Sequence, residues 1–297
     1  MSTNLQITTS SYQRTARAAG VAIPEAISAV LDPAVHPRAQ LDKHLSDIPT
    51  TEAAIAQALN AGKNPATDKG VILAINAQRV RERTGNLDAV QDRRITAAFR
   101  EQWDAIVDAV QAVFDPAAEA FTRAHQVLAA HSLDHEDTDA IRRAGGEAVT
   151  AWAAALTAQE VLAQVPTILT NAAISAGHAA FGDAGRMHWT IVPNLDTWIS
   201  APPNTKDLWS VLDSGATLNL ARNINEAQQR AALPHRERAL ANEARAAANG
   251  RGGFGGDDRP ISYIGADGKR RTTDHNGNIR SYIEGQRANL PASMVTL

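Results

Sequence analysis

The residues best suited to chemistry are three histidines and a run of acids. His131 and His135 are four apart, His125 lies on the turns before them, and Asp134, Glu136, Asp137 and Asp139 surround them. Imidazole with carboxylate suits zinc or manganese, and four-residue spacing on a helix puts two ligands on one face. His131 and His135 are the metal candidates on that ground. The same residues sit where one helix should end and the next should begin, and a helix start favours acids in its first turn. An inter-helix turn is therefore the expected role. His135-Glu136 has no second histidine four residues after the first, so the metalloprotease pattern is missing.

A second set is basic. Gly250, Gly252 and Gly255 match G-x-G-x-x-G, but a helix precedes them and a strand follows. Phosphate binding by that fingerprint needs the reverse order, so the segment reads as a linker. It contains Arg251 and Phe254 in a single Arg-Gly-Gly-Phe unit of the kind that binds RNA in multiple copies. Lys269, Arg270, Arg271 and Arg280 follow closely. On a strand Lys269 and Arg271 share one face, with Arg270 opposite. Together with Arg251 and Phe254 they form the candidate surface for a protein partner or for nucleic acid. Edge protection explains the same charges, because lysine and arginine discourage strand addition. Asp274-His275-Asn276 resembles the start of a metal-nuclease site but lacks a following histidine.

Trp189, Trp198 and Trp209 are the only aromatic concentration, with Asn194, Asp196 and Asn204 beside them. Such a group can line a sugar or base pocket. In a chain with 4% aromatics it more simply anchors a small core. No G-x-S-x-G, P-loop or kinase set occurs, so no catalytic residue is assigned and no cofactor is expected.

The elements that position these groups are mostly helical. Residues 1–11 read as a tail and 12–84 as a region of short, proline-punctuated helices. Residues 85–182 read as a long helical hairpin. There Ile95, Phe99, Trp103, Ile106, Val110 and Val113 make one stripe at steps of three and four. The pattern predicts one helix from Asn86 to Phe114, a restart at Asp115-Pro116, and a third long helix from Thr138. Residues 183–249 hold the tryptophans and a polar connector helix with a break near Pro234. Residues 250–260 are the linker. Asp267-Gly268 and Asn276-Gly277 then predict a three-stranded meander in 261–297. The expected fold class is mainly α: an elongated helical hairpin or bundle with a small C-terminal β-meander.

Composition bounds the rest. The 297 residues include 58 alanines and no cysteine, with net charge −3 and 24 arginines against 5 lysines. Alanine favours helix but buries little area, so helices should pack closely with thin contacts. Without cysteine there are no disulfides, thiol nucleophiles or cysteine-bound metals. A charge near zero argues against a nucleic-acid coat. Residues 161–182 lack Asp, Glu, Lys and Arg, yet Gln164, Pro166, Asn171 and His178 interrupt them. They read as buried helix, with no membrane partner expected. The first residues show no signal-peptide pattern, so a cytoplasmic or virion location is expected.

The texture resembles helical virion or assembly proteins of bacteriophages infecting GC-rich bacteria. This likeness is one of style and carries no site residue. It implies a non-enzymatic structural or assembly protein that self-associates or docks on another protein. A nucleic-acid-associated protein is the second reading, and an enzyme of unknown type the third.

Overall fold

A computed structural model describes residues 3–178, 187–196, 207–249, 260–274 and 279–281. They form helices α1 (Thr3–Ala18), α2 (Glu25–Leu31), α3 (Pro37–Leu45), α4 (Thr51–Asn60) and α5 (Lys69–Glu82). These are followed by α6 (Leu87–Glu101), α7 (Trp103–Ala130), α8 (Thr138–Ala144) and α9 (Gly146–Ser175). Helices α10 (Leu208–Asp213) and α11 (Ile224–Asn249) complete the helical part. The strands are β1 (Ile191–Val192), β2 (Thr217–Leu218), β3 (Ile261–Ile264), β4 (Arg270–Thr273) and β5 (Ile279–Ser281). The protein is thus mainly helical, with small antiparallel sheets.

The chain divides into two units. The first comprises residues 1–113 and 167–180. Its short helices start where side chains can accept orphan amides. Thr50 Oγ1 accepts from Ala53 N at 3.2 Å, and Asp68 Oδ1 from Gly70 N at 2.8 Å. The core is built on the stripe read from sequence: Ile95, Phe99, Ile106 and Val110 are buried. Ile168, Leu169 and Ala172 are buried in the same unit. Tyr12 of α1 meets Phe99 edge-on, with ring centroids 5.1 Å apart. Burial pushes the Tyr12 hydroxyl up to about 12. Residues 4–11, read as a tail, belong to α1, because Thr9, Tyr12 and Ala16 bury one face of it.

Two expected breaks, at Asp115-Pro116 and near Pro234, are absent. The helix from Asn86 ends at Glu101, with Gln102 outside helical geometry, rather than at Asp115. Pro116 lies inside α7, Pro166 inside α9 and Pro234 inside α11. An internal proline costs roughly 3 kcal/mol, and packing on either side offsets it. Phe114, Ala117, Ala118 and Phe121 flank Pro116 and are buried. The third long helix is divided at Gly145, whose φ of 107° and ψ of −176° fit glycine alone.

The second unit comprises residues 114–166 and 181–297. Strand β1 pairs with β2, Ile191 opposite Leu218. Strand β3 pairs with β4, Tyr263 opposite Arg271, and β4 pairs with β5, Thr272 opposite Arg280. The Asn276-Gly277 turn lies outside the described residues, as does the glycine-rich linker up to residue 259. Helix α11, read as a connector in need of a partner, carries β3 and β4 against it. Among the described residues no helix is long and apolar enough to cross a membrane.

Candidate functional site

One basic residue of the small sheet is drawn inward. Arg271 is wholly buried, and so is Glu237 of α11. The turn after β3 delivers Asp267, and the segment after β1 delivers Asp196. Arg271 Nη2 donates to Asp196 Oδ1 at 2.8 Å and to Asp267 Oδ2 at 2.8 Å, while Nη1 donates to Asp267 Oδ1. Its Nε faces Glu237 Oε1 at 3.5 Å. Glu237 accepts in addition from Tyr263 Oη at 2.7 Å and from the Ala266 amide at 2.6 Å.

Electrostatics follow from this geometry. The hydrogen bond from Arg271 holds the Asp267 carboxyl down at about 2. Asp267 in turn, with Glu237 and Asp196, raises the Arg271 guanidinium. Burial raises the Tyr263 hydroxyl, and its bond to Glu237 raises it further. Lys269 Nζ donates to Asp196 Oδ2 at 2.9 Å, which raises the ammonium.

Lys269 and Arg271 therefore share a face, as the strand alternation requires, and both reach Asp196. Their charges are spent within the chain. Arg270 is exposed on the opposite side and also has a partner. Arg251 and Phe254, and the side chain of Arg280, lie outside the described residues.

The histidines form a different cluster, centred on Trp209 of α10. The His135 ring stacks on the indole at 4.7 Å and 14°, and Phe121 leans on it at 4.6 Å. His125 Nε2 meets Asp213 Oδ1 at 2.8 Å. Trp152 Nε1 donates to the His135 carbonyl at 3.1 Å. Asp207 caps α10 by accepting from the amides of Trp209 and Ser210. Burial pushes its carboxyl up, but these bonds and that from the Ser210 hydroxyl outweigh it, and the net shift is downward. The cluster packs the turn of residues 131–137 against α10.

His131 lies exposed at the end of α7 and His135 is engaged with Trp209. Among the described residues no group of three or more His, Cys, Asp or Glu could hold a metal. Trp189 is buried, and one face of Trp209 is covered by His135. Trp198 and Asn204 lie outside the described residues.

No family model, curated protein or solved structure matches this chain. Its chemistry is therefore read from its own residues. Glu237 is the residue the sequence hides, since Arg236-Glu237-Arg238 reads as ordinary solvated helix charge. Among the described residues the two polar clusters are built mainly from groups that satisfy one another.

A third feature is apolar. Helices α4 and α5 share a core of Ala54, Ala58, Val71 and Ala74, with Ile48, Ile55 and Ile75 packed at its edge. This core is thin. Leu59 remains 60% exposed, Leu73 53% and Ile72 45%.

Proposed function

We propose that this chain is a non-enzymatic structural or assembly protein that completes its burial against copies of itself or another protein. The observation that carries the proposal is the exposure of Leu59, Ile72 and Leu73, three large apolar side chains left in water by a pair of alanine-lined helices. Single exposed apolar residues are common, but three on one helix pair with so thin a core support an interaction surface there. Fully burying such a side chain is worth about 1.5–3 kcal/mol, so three together can hold an interface centre. In its finer form the proposal makes residues 114–130 and 146–166 the arms of a helical hairpin. A bacteriophage virion or assembly component is the matching biological setting. The ion pairs of Lys269 and Arg271 weigh against the nucleic-acid reading, because phosphates would have to displace Asp196.

Light-scattering mass across a concentration series tests the proposal. The expected result is a multiple of the 31.6 kDa chain, lowered by Ile72→Glu with Leu73→Glu while circular dichroism stays helical. A monomer at every concentration, unchanged by the double substitution, would overturn self-association.

A further inference from the structure

A groove of about 790 Å³ lies in the first unit, lined by α3, α5 and the start of α6. Its size is within the range of roughly 300–1,000 Å³ typical of small-molecule sites. Arg81 Nη2 donates to the Leu45 carbonyl at 2.9 Å and ties α5 to the end of α3, two of the groove's walls.

The lining is one-signed. Arg79 and Arg83 are its cationic lining residues, His44 and Gln40 stand on α3, and Asn76 precedes Arg79 on α5. Among the described residues none that lines the groove carries a carboxylate. The nearest acids are already committed. Glu82 accepts from Gln78 Nε2 at 2.9 Å, and Asp88 lies 3.7 Å from His36 and 3.8 Å from Arg38. Among the described residues the side chains of Arg79 and Arg83 make no ion pair or hydrogen bond.

Arg79 lies in the last turn of α5 and Arg83 is its C-cap; cations four apart at a helix end stand about 5–6 Å apart at Cβ and repel each other. That spacing lets two planar donor forks converge on one oxyanion. The helix C-terminus explains why basic residues suit this end of α5. It does not explain the amides of Gln40 and Asn76 or the ring of His44 around the same space. Leu41 and Val80 add an apolar wall, and Val80 is 45% exposed.

We propose that this groove binds a small organic oxyanion. Arg79 and Arg83 hold its phosphate or carboxylate head, and Leu41 and Val80 hold its apolar body. The site is distinct from the proposed assembly surface, since none of Leu59, Ile72 and Leu73 lines the groove.

Titration calorimetry on the full chain tests it with phenyl phosphate, benzoate and benzyl alcohol at millimolar concentration. Phenyl phosphate should bind saturably and benzoate more weakly, and the neutral alcohol should not bind. The paired substitution Arg79→Gln with Arg83→Gln should weaken phenyl phosphate about tenfold or more. Arg94→Gln, on α6 and outside the groove, should leave it unchanged. Benzoate binding without phenyl phosphate binding would retain the site and assign its head group to carboxylates. Failure of both anions to bind, equal binding of the alcohol, or equal losses in the paired and Arg94 variants would overturn the proposal. Both arginines are exposed, and a melting curve for each variant separates lost binding from lost folding.

Discussion

Replacing Arg271 by methionine probes the centre of the second unit's sheet. The guanidinium holds two acids by direct hydrogen bonds and faces a third, Glu237, which is fully buried. Methionine keeps most of the volume but strands that buried carboxylate. Glu237 then retains only the Tyr263 hydroxyl and the Ala266 amide. Breaking a buried pair from one side costs about 3–5 kcal/mol, because the remaining charge is uncompensated. By contrast, Lys269 is 64% exposed, and removing it should have only a small effect.

The loss should be local. Strands β3 and β4 lie on α11 through this cluster, so detachment of the sheet should precede unfolding of the helices. Amide exchange at Tyr263, Gly265 and Ala266 is the assay. Arg271→Met should speed it by roughly a hundredfold to a few thousandfold. Adding Glu237→Gln should restore part of the protection, because a neutral amide still accepts one bond and leaves no orphan charge. The coupling between the two substitutions should be about 0.5–3 kcal/mol. If exchange at these amides is unchanged in Arg271→Met, or the two substitutions are strictly additive, the cluster does not anchor the sheet.

Two further outcomes follow from the same cluster. Asp267 is held at about 2, against about 3.9 in an unfolded chain. Its folded value is depressed, so its contribution is present above the unfolded value and is lost as pH falls from about 4 towards 2. The loss is on the order of 2 kcal/mol, read from urea midpoints against pH, and Asp267→Asn should flatten that part of the curve. Gly265→Ala places a Cβ against Arg271 Nη1 and within 2.8 Å of Glu237 Oε2. Since both side chains are pinned by each other, the expected cost is about 1–3 kcal/mol, and an unchanged melting temperature would show the cluster to be slack.

The helical class, most helix positions and the core stripe were legible because they rest on local pattern. Ile95, Phe99, Ile106 and Val110 recur at helical spacing, and all are buried. The prolines misled for a physical reason. Proline removes one hydrogen bond, a local cost that packing offsets in a long helix. Pro234 is itself buried. The polar clusters were half legible. Alternation placed Lys269 and Arg271 on one face, but Asp196 lies 75 residues before Arg271 and no local signal joins them. The same holds for His125 and Asp213, 88 residues apart. Metal-like histidine spacing was visible in the sequence, while the indole that occupies His135 was not.

The way the sheet is held follows from its composition. Strand β4 reads Arg-Arg-Thr-Thr and offers almost no apolar surface, and α11 has a poor apolar face of its own. Apolar docking of β4 on α11 is thus weak, and a buried ionic cluster supplements the contact that β3 makes there. Such clusters add little net stability but penalise every misaligned arrangement, since each leaves a charge unpaired. Tyr263 and Arg271 are register partners, and both converge on Glu237. A slip of β4 by one residue would turn Arg271 away from it while Tyr263 stayed. The cluster therefore sets register and position where apolar packing is weak.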